Sequence, residues 1–144
     1  MAFQLSASAV PGYQFEKFPD LSAVKTRERL SQSAADGYMA IVEKWGLSAE
    51  QKSELLGVSR SKIYCLSTGA GILRQDQLTR ISYVVGIYKA LHILLSTGQA
   101  DKWMSGANDD PLFAGRSPIE YALQFGIPGL LNVRRLLDAA RGGQ

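Results

Sequence analysis

The stretch best equipped for chemistry is "LLGVSRSKIY", Leu55 to Tyr64, in which two serines and two cations follow a glycine almost at once. Gly57 is the residue type that adopts a left-handed backbone angle cheaply, as the turn of a helix-turn-helix unit requires. Ser53, four positions earlier, is small enough to let two helices approach. Val58, Ile63 and Leu66 would then point into a core, with Leu55 and Leu56 securing the first helix. Ser59, Arg60, Ser61, Lys62 and Tyr64 are left on the exposed face at the start of a second helix, from which base edges and phosphates are met in the major groove. Hydroxyls and the free N–H groups of a helix start suit phosphate oxygens, and Arg60 and Lys62 supply charge. A helical hairpin with a solvated polar face is the bland reading of the same spacing. Between Ala49 and Ser67, Lys52, Arg60 and Lys62 stand against Glu50 and Glu54, a net of +1. Few phosphates can be neutralised by one such unit, so useful affinity calls for a dimer presenting two.

The elements that must position these residues follow from periodicity. "SQSAADGYMAIVEKWGLS" sets Ala34, Tyr38, Ile41, Val42 and Trp45 on one helical face, with Ser33 as N-cap and Gly46 as stop. Ser48 and Gln51 have the form of a capping box ahead of the helix that ends at Gly57. A short helix spans about Ser59 to Ser67, and "STGAG" ends it. "RQDQLTRISYVVGIYKALHILLSTG" is the longest periodic segment, with Leu78, Ile81, Val84, Val85, Tyr88, Leu91 and Leu95 on an apolar arc wide enough to be buried on more than one side, and Gly98 closing it. "DKWMSGANDDPLFAGRS" reads as a turn-rich connector whose Trp103, Leu112 and Phe113 plug into the core. Ser117 and Pro118 then start a helix as N-cap and first residue, and Pro128 repeats the device. No segment alternates like a strand, so the expected fold is all-α, a helical bundle.

Composition narrows the function classes. The 144 residues are 46% hydrophobic, enough for a real core, with a formal charge of +3 that permits nucleic acid without demanding it. Cys65 is the sole cysteine and His92 the sole histidine. That leaves no intrachain disulfide, no cysteine metal cluster and little material for a catalytic triad. Cys65 reads as a small semi-buried filler, and His92 as a packed or dimer-interface residue. The N-terminal stretch "MAFQLSASAVPGYQFEKF" lacks the pattern of a signal peptide, and the most apolar window is interrupted by Lys89 and His92. A cytoplasmic protein with no cofactor, no metal and no catalytic residues is the expectation. An enzyme ranks last.

The order "LGVSRSKIY", "LTRISYVVGIYKALHILL", "PLFAGRSPIEYAL" and "GIPGLLNVRRLLDAARGG" resembles the antitoxins of the Xre/MbcA/ParS type, over about two thirds of the chain from Leu47 to Gly143. The Asp-Pro turn followed by Phe-x-Gly-x-Ser-Pro is the most specific part. The resemblance implies an Xre-like helix-turn-helix followed by a C-terminal helical toxin-binding domain. It further implies a RES-domain toxin that consumes NAD, an antitoxin homodimer within a higher toxin–antitoxin assembly that covers the toxin's active-site entrance, and repression of its own operator DNA. Carried onto this sequence, it makes Ser59, Arg60, Ser61, Lys62 and Tyr64 the DNA-facing set. Arg116, Ser117, Pro118 and Tyr121 match the signature, and Arg134, Arg135 and Arg141 the basic final helix, as toxin-binding residues. The segment Cys65 to Ser67 departs from the family's pattern, where Trp or Arg is frequent. The expected division is an N-terminal arm over 1–20, partly ordered by Phe15 and Phe18, a helix-turn-helix domain over 21–73, and a toxin-binding and dimerisation domain over 74–144. The competing function is a stand-alone dimeric helix-turn-helix repressor with no toxin partner. Residue by residue, Gly115, Ser117 and Pro118 also have scaffold readings, and Arg134 and Asp138, four apart, could simply pair on a solvated face.

Overall fold

The computed structural model describes residues 19–69 and 71–142. The expected N-terminal arm, with Phe15 and Phe18, lies almost entirely outside them, as does Gly143. Among the described residues there are six α-helices, a single 3-10 turn at Pro111–Phe113, and no strand. The helices are α1 (Val24–Lys44), α2 (Ala49–Leu56), α3 (Arg60–Ser67), α4 (Gln75–Leu94), α5 (Thr97–Trp103) and α6 (Pro118–Gly142). None of them is long and apolar enough to cross a membrane.

Two helix boundaries differ from the sequence reading. The first helix begins at Val24 rather than behind Ser33, which lies inside α1 and donates its hydroxyl to the Leu30 carbonyl at 3.3 Å. An interior serine is tolerated when it bonds back to the preceding turn in this way, and Leu21 and Leu30, packed on the core, extend the apolar face backwards. Gly98 does not close the long helix. Leu95 breaks it by turning extended, and Ser96 caps α5, its Oγ accepting from Gln99 N, so that Gly98 falls within the new helix. A capping serine outweighs a helix-interior glycine as a signal because it satisfies an otherwise orphaned N–H.

The core gathers on α4. Its buried residues are Gln77, Leu78, Ile81, Val84, Ile87, Ala90 and Leu91, while Val85 and Tyr88 are half-buried. No polar stripe as wide as that of a surface helix remains, so α4 needs cover on several sides. It receives α1 and α6 as its main neighbours, with α2 and α5 completing the shell. Tyr38 and Trp45 of the first helix region and Phe113 of the 3-10 turn are the largest buried aromatics. Phe113 meets Trp103 and Tyr121 edge to face.

Several polar groups caught in this core find partners across elements, as most buried groups do, although Trp45 Nε1 and Arg80 Nε are buried without one. Tyr38 Oη donates to the Lys52 carbonyl at 2.6 Å, joining α1 to α2. Burial pushes its phenol well above the ordinary range, with the nearby Arg80 charge opposing. Ser31 Oγ accepts from Leu73 N at 2.9 Å, joining α1 to the loop ahead of α4. Ser105 Oγ donates to the Trp45 carbonyl at 2.7 Å, and Ile119 N to the Met104 carbonyl at 2.9 Å, so the connector is sewn in at both ends.

The last helix is broken at Gly126, with φ 64 and ψ −135, just ahead of Pro128. That region of backbone space is closed to side chains other than glycine, because Cβ would meet the neighbouring carbonyl. Gly126→Ala should destabilise the chain by about 1–3 kcal/mol, read as a lowered urea midpoint with an unchanged slope.

Candidate nucleic-acid interface and basic tail

The turn ahead of α3 is built from backbone outward. Ser48 and Gln51 form the expected capping box at the start of α2. Gly57 ends α2 with φ 77, its N–H donating to the Ser53 and Glu54 carbonyls, and Val58 N also donates to Ser53 O at 3.0 Å. Ser53 is buried at this approach. The Arg80 guanidinium, from α4, closes the turn: Nη1 donates to the Leu55 carbonyl at 3.1 Å and the group lies against Gly57. A Cβ at Gly57 would sit 3.4 Å from Arg80, so glycine here meets both a backbone and a packing demand.

Ser59 is the N-cap of α3, its Oγ accepting from Lys62 N at 3.1 Å and lying 3.2 Å from Ser61 Oγ. Ile63 and Leu66 are buried, Val58 half-buried, and Leu55 and Leu56 fully inside. Arg60, Ser61 and Tyr64 are left in solvent, and Tyr64 is 71% exposed. Lys62 is half-buried at its stem. All five residues that the sequence places on this face thus stand together at the start of a helix held by its other side. Cys65 is exposed, not a semi-buried filler. It follows Ser61 by four positions and so shares the outward face rather than the Ile63–Leu66 side.

The second constellation sits at the start and end of α6. Ser117 Oγ accepts from Glu120 N at 3.2 Å, and Glu120 Oε1 accepts in return from Ser117 N at 2.8 Å. The Ser117 N–H, with the Ser117 hydroxyl donating to the same Oε1 at 3.1 Å, holds the Glu120 carboxyl below its usual range. Ser117, Pro118 and Tyr121 are all buried, and the Tyr121 hydroxyl accepts from Asn132 Nδ2 at 2.9 Å. These three side chains spend their surface on the fold. Arg116 is different. It donates from Nε to the Phe113 carbonyl at 2.9 Å, pairs with Gln124, and lies over the rings of Tyr121 and Phe125. Phe125 itself is 45% exposed and was not singled out by the sequence reading, since nothing in its spacing marks it.

The three arginines of the basic end part company. Arg134 lies across α4 at Gly86, where a Cβ would fall impossibly close to its guanidinium, and its Nε meets both Asp138 oxygens at 3.1 and 3.2 Å. Arg135 is exposed, and Arg141 is exposed with Asp138 at 3.8 Å. Arg135 and Arg141 therefore carry the exposed cationic surface at the end of α6, while Arg116 is half-buried at its start. His92 is half-buried on α4, its Nδ1 3.0 Å from the Tyr88 carbonyl and its Nε2 3.3 Å from Asp101.

Comparison with known proteins follows the same division. Residues 25–86 match the antitoxin Xre-like helix-turn-helix domain, and residues 90–143 match the antitoxin Xre/MbcA/ParS C-terminal toxin-binding domain. The chain is also 36% identical over 110 residues to the uncharacterized protein y4oB of Sinorhizobium fredii (strain NBRC 101917 / NGR234), spanning 75% of this chain and 84% of that protein. Both family matches meet on α4.

The exposed set on α3 leads to one measurement. Arg60→Ala combined with Lys62→Ala should lower the affinity for duplex DNA and reduce the slope of log K against log salt by about two, one per lost phosphate contact. Unchanged affinity and slope in a salt titration would remove α3 from the interface.

Proposed function

Because the chain belongs to the Xre/MbcA/ParS antitoxin family, with an Xre-like helix-turn-helix domain followed by a toxin-binding domain, we propose that it neutralises a RES-domain toxin that consumes NAD and represses the operon encoding both. The observation that carries this reading is the partition of charge in the toxin-binding match. Ser117, Pro118 and Tyr121 are buried and Arg116 and Arg134 are held in contacts within the chain, while Arg135 and Arg141 are exposed near the end of α6. A toxin that grips an anionic dinucleotide needs cations at the mouth of its site, or carboxylates beside it for the chemistry. Exposed guanidinium groups on a rigid helix pair with such carboxylates bidentately and block the entrance without turning over.

The DNA side works through α3. Its small charge supports a dimeric mode of action, in which two copies set two α3 helices about 34 Å apart on one face of the duplex. A toxin that bridges or stabilises such a dimer would strengthen repression by mass action.

Co-expression with the product of the neighbouring open reading frame tests the pair. The wild-type chain should restore growth and cellular NAD and co-purify with that product. Arg135→Glu with Arg141→Glu should lose this protection by at least tenfold in surviving cells, with an unchanged circular dichroism spectrum, because each reversal sets like charge against an interface built for cations. A chain that shifts its own upstream DNA fully and is indifferent to the neighbouring product would be a stand-alone repressor instead.

A further inference from the structure

Beside the outward face of α3 lies a polar cleft between the start of that helix and the start of α4, with Ser59, Lys62, Ile72, Arg74 and Gln77 on its walls. Two cations reach it from different elements. Lys62 sends its ammonium over the loop at Gly71, where a Cβ would come within 2.9 Å of Nζ. Arg74 is the residue immediately before α4 and keeps its side chain 66% exposed. Its backbone N–H donates to Gln77 Oε1 at 2.9 Å, and Gln77 is itself buried, so the base of the arginine is anchored while its guanidinium stays at the surface. Asp76 lies against that guanidinium, 3.1 Å from Nε.

We infer that this cleft seats one backbone phosphate of duplex DNA, and that Arg74, outside the helix that faces the groove, closes the seat. The inference rests on the DNA-binding reading above. A phosphodiester presents two non-bridging oxygens sharing one negative charge, which a guanidinium takes in parallel while an ammonium approaches as a point charge from the other wall. Asp76 does not forbid the exchange, since an exposed ion pair is worth little in water and a phosphate replaces it like for like. A phosphate fixed beside Ser59 sets how deeply Arg60, Ser61 and Tyr64 enter the groove. It carries register and no sequence information. Inorganic phosphate offers the same oxygens, so the test separates the two sources.

The measurement is a salt series of binding by the full chain to a duplex from upstream of its own gene and to an unrelated duplex. Arg74→Gln should weaken both alike, by about three- to tenfold, and lower the salt slope by about one. Asp76→Asn should tighten both, and that gain should vanish in the Arg74→Gln background. Tyr64→Ala reports separately on α3. If the wild type binds and Arg74→Gln binds with equal affinity and slope, the seat is wrong while the α3 reading stands. If the wild type binds neither duplex, both fall. Should inorganic phosphate raise the melting temperature of the wild type but not of Arg74→Gln, with duplex affinity equal in the two, the cleft is a free-anion site and the inference is overturned.

Discussion

A helix with apolar residues around most of its circumference cannot stand at a protein surface, and α4 is such a helix. Leu78, Ile81, Val84, Ile87 and Leu91 point away from water in more than one direction. The amino-terminal half of the fold supplies α1 as one cover, and the carboxy-terminal half supplies α6 as the other. Each half taken alone would leave a strip of α4 bare, at a cost that scales with the exposed apolar area. Both family matches end on this helix from opposite sides because it is the shared wall of one core.

Two arginines make the sharing specific. Arg80 reaches from α4 to the Leu55 carbonyl and rests against Gly57, and its far end approaches Gly126 at the break in α6. Arg134 reaches from α6 to the bare backbone of α4 at Gly86. In each case a glycine provides the hollow, and an arginine provides an apolar stem with a guanidinium tip. Both guanidinium groups are thus engaged by contacts within the chain, although the Arg134 side chain stays 33% exposed. Net positive charge read from composition overstates what such a molecule shows to a ligand.

What remains outside is small and clustered. Arg60, Ser61, Tyr64 and Lys62 gather at the start of α3, with Arg74 on the same cleft as Lys62; Arg135 and Arg141 are exposed near the end of α6. The first group sits on α3, which packs on α1 and α2, and the second on α6, which packs on α4. An anionic nucleic acid and a second polypeptide can thus occupy the molecule without competing for the same side chains.

Residue order alone determined the helical class, the Ser48–Gln51 capping box, the left-handed turn at Gly57, the Ser117–Pro118 start and the outward set on α3. All of these are local: a cap, a turn or a 3.6-residue period is decided by neighbours within a few positions. The Ser33 boundary differs because Leu30 packs on the core and carries the helix further back, whereas at Gly98 a competing local signal, the Ser96 cap, starts a new helix. Tertiary structure alone decided that Arg134 is a clamp and Arg135 is not, that Cys65 faces water, that Phe125 is half bare beside Arg116, and that Arg74 shares a cleft with Lys62. Those facts turn on which residues from remote parts of the chain arrive at the same place, and no spacing along one segment carries that information.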